Sequence, residues 1–325
     1  MKRNQIVDQY RKIYSKIKQS KTHSQNAKTT SITSDLDKIP RSSLLLSVVQ
    51  MLREDYPLPF DEATHVRTQN YVFTNKAYTE CTNASPLYSI DCEMCFNIDG
   101  DMEVVWLAVV NEHLECIYET FVKPEKKITN YLTKITGVSQ ATLANINTTL
   151  KDVQTKLEEI LPSNAILVGQ SLNNDLHALR MFHPYVIDTS IIFNLSGNRD
   201  MKPSLQQLAA KFLGKIIQET VHNPTIDARS SMELVLLKLR RSLEFGDVIA
   251  GGCLNTYALD EQLAKIGESS IDMDGLDLSD PFKISKFIYH TGMNIDQNFF
   301  NVLRDNKISS KTLFCSSECT DFYPE

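Results

Sequence analysis

The chain has 325 residues, 34 basic against 40 acidic, and a formal net charge of −6, so bulk charge alone gives no case for nucleic-acid binding. Its seven cysteines fall at no regular spacing, which argues against a disulfide framework and for free thiols in a reducing compartment. No apolar run approaches about 18 residues and the N-terminus lacks an apolar h-region, so a soluble, non-secreted protein with no membrane role is expected.

Charge is nevertheless uneven. Within 1–28, Lys2, Arg3, Arg11, Lys12, Lys16, Lys18, Lys21 and Lys28 face the single acid Asp8 in a polar setting, which predicts a disordered basic arm, placed over 1–42. Such an arm suits nuclear targeting or phosphate contact, and equally a solvated tail. Ser43 to Arg53 has the apolar spacing of a short helix, stopped at Tyr56-Pro57-Leu58-Pro59, and 43–85 reads as a lead-in segment packing on the main domain.

The main domain is predicted over 86–245. Strands are expected at Leu87 to Met94, Glu103 to Val110 and Leu114 to Val122, an antiparallel meander joined by tight turns. The period then changes. Helix is expected at Leu143 to Leu161, strand at Ala165 to Gly169, helix at Leu172 to Phe182, strand at Tyr185 to Ile192, helix at Ser204 to Leu213, and a long helix from about Thr225 to Leu243. A meander followed by alternating helices and strands predicts an α/β fold with a mixed sheet flanked by helices. Residues 246–325 form an acidic, poorly defined C-terminal region, where the C-x3-C pair Cys315 and Cys319 lacks a second ligand pair and reads as ordinary thiols.

The chemistry concentrates at strand and helix ends. Asp91 and Glu93 are two apart on the first strand and share a face. A surface strand could leave both in water, but the apolar Leu87, Ile90, Cys92 and Met94 predict burial of the other face, and a buried carboxylate pair calls for a divalent cation. Asp175 falls in the first turn of the helix after Gly169-Gln170-Ser171, where an acid points along the rim of the sheet. Pro224 suits a helix entry that puts Asp227 in the opening turns, with His222 in the loop before it. Cys92-x-x-Cys95 admits a thiol redox reading, weakened by the neighbouring carboxylates, which disfavour a thiolate.

Pro86 to Cys95, Leu167 to Leu172 with Asp175-Leu176, and His222 with Asp227-Ala228 resemble the three motifs of the DEDDh exonuclease family. Tyr185 to Ser190, and Tyr131-Leu132-Thr133 with Thr136-Gly137-Val138, are similar to its Rex branch of RNA exonucleases, most closely the nucleolar NEF-sp type. The resemblance covers roughly 56–245. Histidine five residues before Asp227 fits the histidine subclass, with Asn223 at the position tyrosine takes in the other.

The resemblance implies an RNase H-like (DnaQ-like) fold, 3′-to-5′ hydrolysis at single-stranded RNA 3′ ends, and location in the nucleus, specifically the nucleolus. It implies that Asp91, Glu93, Asp175 and Asp227 hold two Mg²⁺ or Mn²⁺ ions, with His222 as general base; structured non-coding RNA precursors (rRNA, snoRNA) are the implied substrates. Two divalent ions about 3.5–4 Å apart can stabilise the attacking and leaving oxygens of an in-line displacement, and imidazole titrates in the range a base requires. Gln170, Ile226, Trp106 and Ala108 depart from the family pattern, where His, an acid, Arg and Ser are usual. None is an expected ligand, so they bear on substrate contacts and on support of the ligands. A non-catalytic RNA-binding protein on the same scaffold and an exonuclease acting on DNA are the alternatives.

Overall fold

A computed structural model of the chain describes residues 5–14, 37–59 and 67–250. The rest of the basic arm, the C-terminal region from residue 251 and the Cys315/Cys319 pair lie outside the described residues. The elements run α1 (residues 5–14), a 3-10 turn (Arg41–Leu44), α2 (Val48–Arg53), β1 (Val72–Phe73), β2 (Leu87–Asn97), β3 (Met102–Asn111), β4 (Cys116–Phe121) and β5 (Ile128–Asn130). There follow α3 (Thr133–Thr136), α4 (Gln140–Leu143), α5 (Leu150–Ile160), β6 (Ile166–Gly169), α6 (Leu172–Ala178), β7 (Met181–Phe182) and β8 (Val186–Asp188). The last are α7 (Thr189–Ile192), α8 (Leu205–Leu208), a π-helical turn (Ala209–Leu213) and α9 (Pro224–Leu239).

The main sheet has the order β4-β3-β2-β6-β8, with β5 pairing the end of β2. β2, β3 and β4 are antiparallel, whereas β2–β6 and β6–β8 are parallel. Helices flank this mixed sheet, giving the RNase H-like α/β fold expected from the sequence. Both faces of β2 are covered, Ile90 and Cys92 by the main core and Cys95 by a smaller cluster with Val105, Ile128, Val138 and Leu143. β1 and β7 pair separately as a short parallel ribbon.

Several boundaries shift for local reasons. The disordered arm predicted from residue 1 is corrected over 5–14: Ile6, Tyr10 and Tyr14 recur every fourth residue on one face of α1 and are buried. Composition hid that periodicity. The helix expected from Ser43 is a 3-10 turn and a fresh start at α2, where Ser47 and Gln50 form a capping box. The helix from Leu143 likewise starts again at α5, capped by Thr149 and Asp152. The helix from Leu172 ends at Ala178, and Met181 and Phe182 become β7 against Val72 and Phe73. The strand from Tyr185 stops at Asp188, whose side chain accepts from the Ser190 N–H and caps α7.

Candidate active site

β2 and β6 run side by side only from Leu87 to Ser89, opposite Ile166 to Val168. Past the end of β6 the edge of β2 needs other partners, and the Cys92 N–H donates to Asp175 Oδ1 at 2.8 Å. That bond fastens the first turn of α6 to the strand carrying Asp91 and Glu93. The approach is close: a Cβ on Gly169 would lie 2.9 Å from Leu172 Cδ1 and 3.1 Å from the Ile90 carbonyl oxygen. Asp188, at the end of β8, supports α6 from below. It accepts from the Ser171 and Leu172 N–H groups at 2.9 and 3.1 Å and from the Tyr56 hydroxyl, supplying the cap that Ser171, at φ +53°, does not.

The third motif arrives on α9. Asn223 accepts from the Ile226 N–H at 3.1 Å as N-cap, Pro224 takes the first turn, and Asp227 follows, 2% exposed. Gln218, held at φ +58°, donates from Nε2 to Asp227 Oδ2 at 2.7 Å. His222 Nδ1 lies 3.8 Å from the same oxygen. The His222 loop is pinned by its own N–H on the Ile135 carbonyl at 2.7 Å and by Val221 over Gly137, where a Cβ would come within 2.6 Å of Val221 Cγ1.

Thus all five residues singled out by sequence meet at one end of the sheet. Glu93, His222 and Asp227 each offer a ligand atom within 4.8 Å of the others. Asp175 joins through the Cys92 N–H, and Asp91 through electrostatics. Burial, then the charges of Asp175, Asp227 and Glu93, push the Asp91 carboxyl well above its ordinary range. Burial and Asp227 raise Glu93 to about 7. Burial raises Asp175 to about 8 although the Cys92 N–H pulls it down. Asp227 is raised by burial and partly relieved by Gln218 and His222.

Four acids that raise one another have only His222 beside Asp227 to offset them among the described residues, and there Asp227 Oδ1 is buried without a hydrogen-bond partner. Hard oxygen donors, several formal negative charges and an unused buried lone pair fit a divalent cation such as Mg²⁺ or Mn²⁺. The thiols do not compete for this role. Burial pushes Cys92 well up and Cys95 to about 12, and the two pack in different clusters. Gln218 and Asp188 also support the site, and neither stands out in the sequence. Gln218 sits in a loop with no periodic signal, and Asp188 falls inside the Tyr185 to Ser190 segment with no pattern that marks it.

The exonuclease family RNase_T matches residues 89–235, from the strand bearing Asp91 and Glu93 to α9. Residues 89–235 form an exonuclease domain. It is 37% identical over 213 residues to RNA exonuclease 1 of Saccharomyces cerevisiae, covering 64% of this chain and 37% of that protein. To RNA exonuclease 5 of Homo sapiens it is 43% identical over 169 residues, covering 51% of this chain and 21% of the relative. The chain therefore spans well under half the length of either relative. Among solved structures it is similar to the pseudoubiquitin hydrolase-RNA exonuclease module of Saccharomyces cerevisiae Pan2, in complex with A7 RNA, at 21% identity and a TM-score of 0.45. That match covers 59% of this chain and 35% of the other.

Proposed function

We propose that the chain is a 3′-to-5′ exoribonuclease that hydrolyses the terminal phosphodiester of single-stranded RNA ends. The observation that carries this reading is the convergence of Asp91, Glu93, Asp175 and Asp227 into one self-repelling cluster within an RNase_T-family domain. The names of the two relatives, both RNA exonucleases, support RNA as the polymer.

Asp91, Glu93, Asp175 and Asp227 would hold two Mg²⁺ or Mn²⁺ ions. Such ions, when bound, supply positive charge to the attacking and leaving oxygens of a phosphoryl displacement. The chain's own groups do the rest. Cys92 N–H and Gln218 fix the orientation of Asp175 and Asp227, so the acids need not reorganise. His222, half-buried beside Asp227, takes the proton from the attacking water as general base. Structured non-coding RNA precursors (rRNA, snoRNA) in the nucleus or nucleolus are the substrates and setting we propose, supported by the resemblance and by the excess of basic residues over 1–28.

The direct experiment follows single nucleotides released from a 5′-labelled single-stranded RNA. A ladder shortening from the 3′ end, abolished by EDTA and by Asp91→Asn, is expected. Cleavage of a circular RNA of the same sequence would contradict the requirement for an end.

A further inference from the structure

Register places Trp106 directly opposite Glu93 across β2 and β3, and Phe121 directly opposite Trp106 across β3 and β4. Residues facing each other across antiparallel strands share a face, so Glu93, Trp106 and Phe121 form one row leading away from the carboxylates. The two rings stack, with centroids 5.0 Å apart and planes at 30°. Both are half-buried, while Ile117 and Glu119 on the edge strand are exposed, so this flank of the sheet lies open beside the site.

The row is tied to the catalytic elements. Trp106 Nε1 donates to Glu119 Oε1 at 3.1 Å, and Thr225, two residues before Asp227, donates from its hydroxyl to Glu119 Oε2 at 2.9 Å. Trp106 also packs against the cluster containing Val138, next to the Gly137 on which the His222 loop rests. Glu119 thus bridges the aromatic pair and the first turn of α9.

We propose that Trp106, backed by Phe121, is a stacking platform for a nucleotide at the end of the strand being degraded, a proposal that rests on the exonuclease reading above. With its N–H committed to Glu119, the indole presents an apolar face and no free donor. It therefore favours any planar base and distinguishes neither base identity nor the ribose 2′-hydroxyl. Trp106 thus sets binding of the end, and discrimination between RNA and DNA falls to other residues.

The chain has a single tryptophan, so its emission reports this place alone. Titrating full-length Asp91→Asn protein with a 5′-labelled oligouridylate should quench tryptophan emission in step with the rise in the label's anisotropy. Kinetically, Trp106→Ala should raise KM by about 5- to 150-fold, similarly for RNA and DNA, with kcat within about threefold of the parent. Trp106→Phe, which keeps a ring and guards against misfolding of the alanine variant, should restore most of the affinity. Binding by anisotropy with unmoved emission, or an unchanged KM in a folded Trp106→Ala protein, would overturn the platform. Failure of the exonuclease reading looks different: the parent protein would release no nucleotide, and the emission titration would still decide whether a strand sits on Trp106.

Discussion

Two regions of this molecule bury ionisable groups, and they treat them in opposite ways. Around α1, Thr74 Oγ1 bridges Tyr78 Oη at 2.9 Å and His183 Nδ1 at 2.6 Å, and His183 Nε2 donates to the Ala165 carbonyl at 2.9 Å. Tyr78 Oη also accepts from the Asn75 N–H at 3.1 Å, and the Tyr10 ring meets Tyr78 edge-on at 5.3 Å. Burial lowers His183 to about 4, so it is neutral and both its nitrogens are used. At the acid rim comparable burial leaves carboxylates repelling one another and an Asp227 oxygen with no hydrogen-bond partner among the described residues. A satisfied buried network supports a fold; an unsatisfied one of a single charge sign is built for something that arrives later.

The contrast makes Asp91→Asn the sharpest test. Removing that charge at constant size should slow nucleotide release on the order of 10³-fold or more, while raising the melting temperature of the metal-free protein at pH 8. Loss of both activity and stability would make the acid rim structural. His222→Ala, which removes the proposed base and leaves the four carboxylates in place, should slow single-turnover release by roughly 10²- to 10⁴-fold with RNA binding retained. On the tyrosine side the expectation reverses: Tyr10→Ala should cost about 3–5 kcal/mol in denaturant unfolding and leave release by the folded fraction unchanged. Gln218→Met, which keeps the bulk and loses the donor to Asp227, should weaken Mn²⁺ binding by about 10- to 100-fold in a calorimetric titration. An unchanged affinity would remove Gln218 from the support of the site.

The same contrast marks what was legible in the sequence. Asp91, Glu93, Asp175 and Asp227 could be read because each sits at a fixed offset from a strand end or helix start, and alternation or capping fixes where such residues point. The meander was legible from its tight turns. The helix at 5–14 was not, because three apolar side chains at fourfold spacing are outvoted by the charged residues around them when composition is the guide. The start of α7 at Thr189 was hidden within an apolar run that continues the strand, and only the Asp188 cap ends it. Gln218 reaches Asp227 from a loop in a left-handed backbone conformation, a contact made by tertiary structure alone.

Completion of the acid rim by divalent cations can be read from the melting temperature of the wild-type chain between pH 5.5 and 9, in EDTA and in millimolar Mg²⁺ or Mn²⁺. Glu93 at about 7 and Asp175 at about 8 hold protons in the folded state that the unfolded chain gives up near pH 4, so folding is favoured at low pH and that contribution is lost as pH rises through 7 and 8. In EDTA the melting temperature should fall across this window, and the metal-induced rise should grow with pH as protons cease to compete for the carboxylates. A melting temperature indifferent to metal at pH 8, in protein whose EDTA curve falls as described, would contradict it.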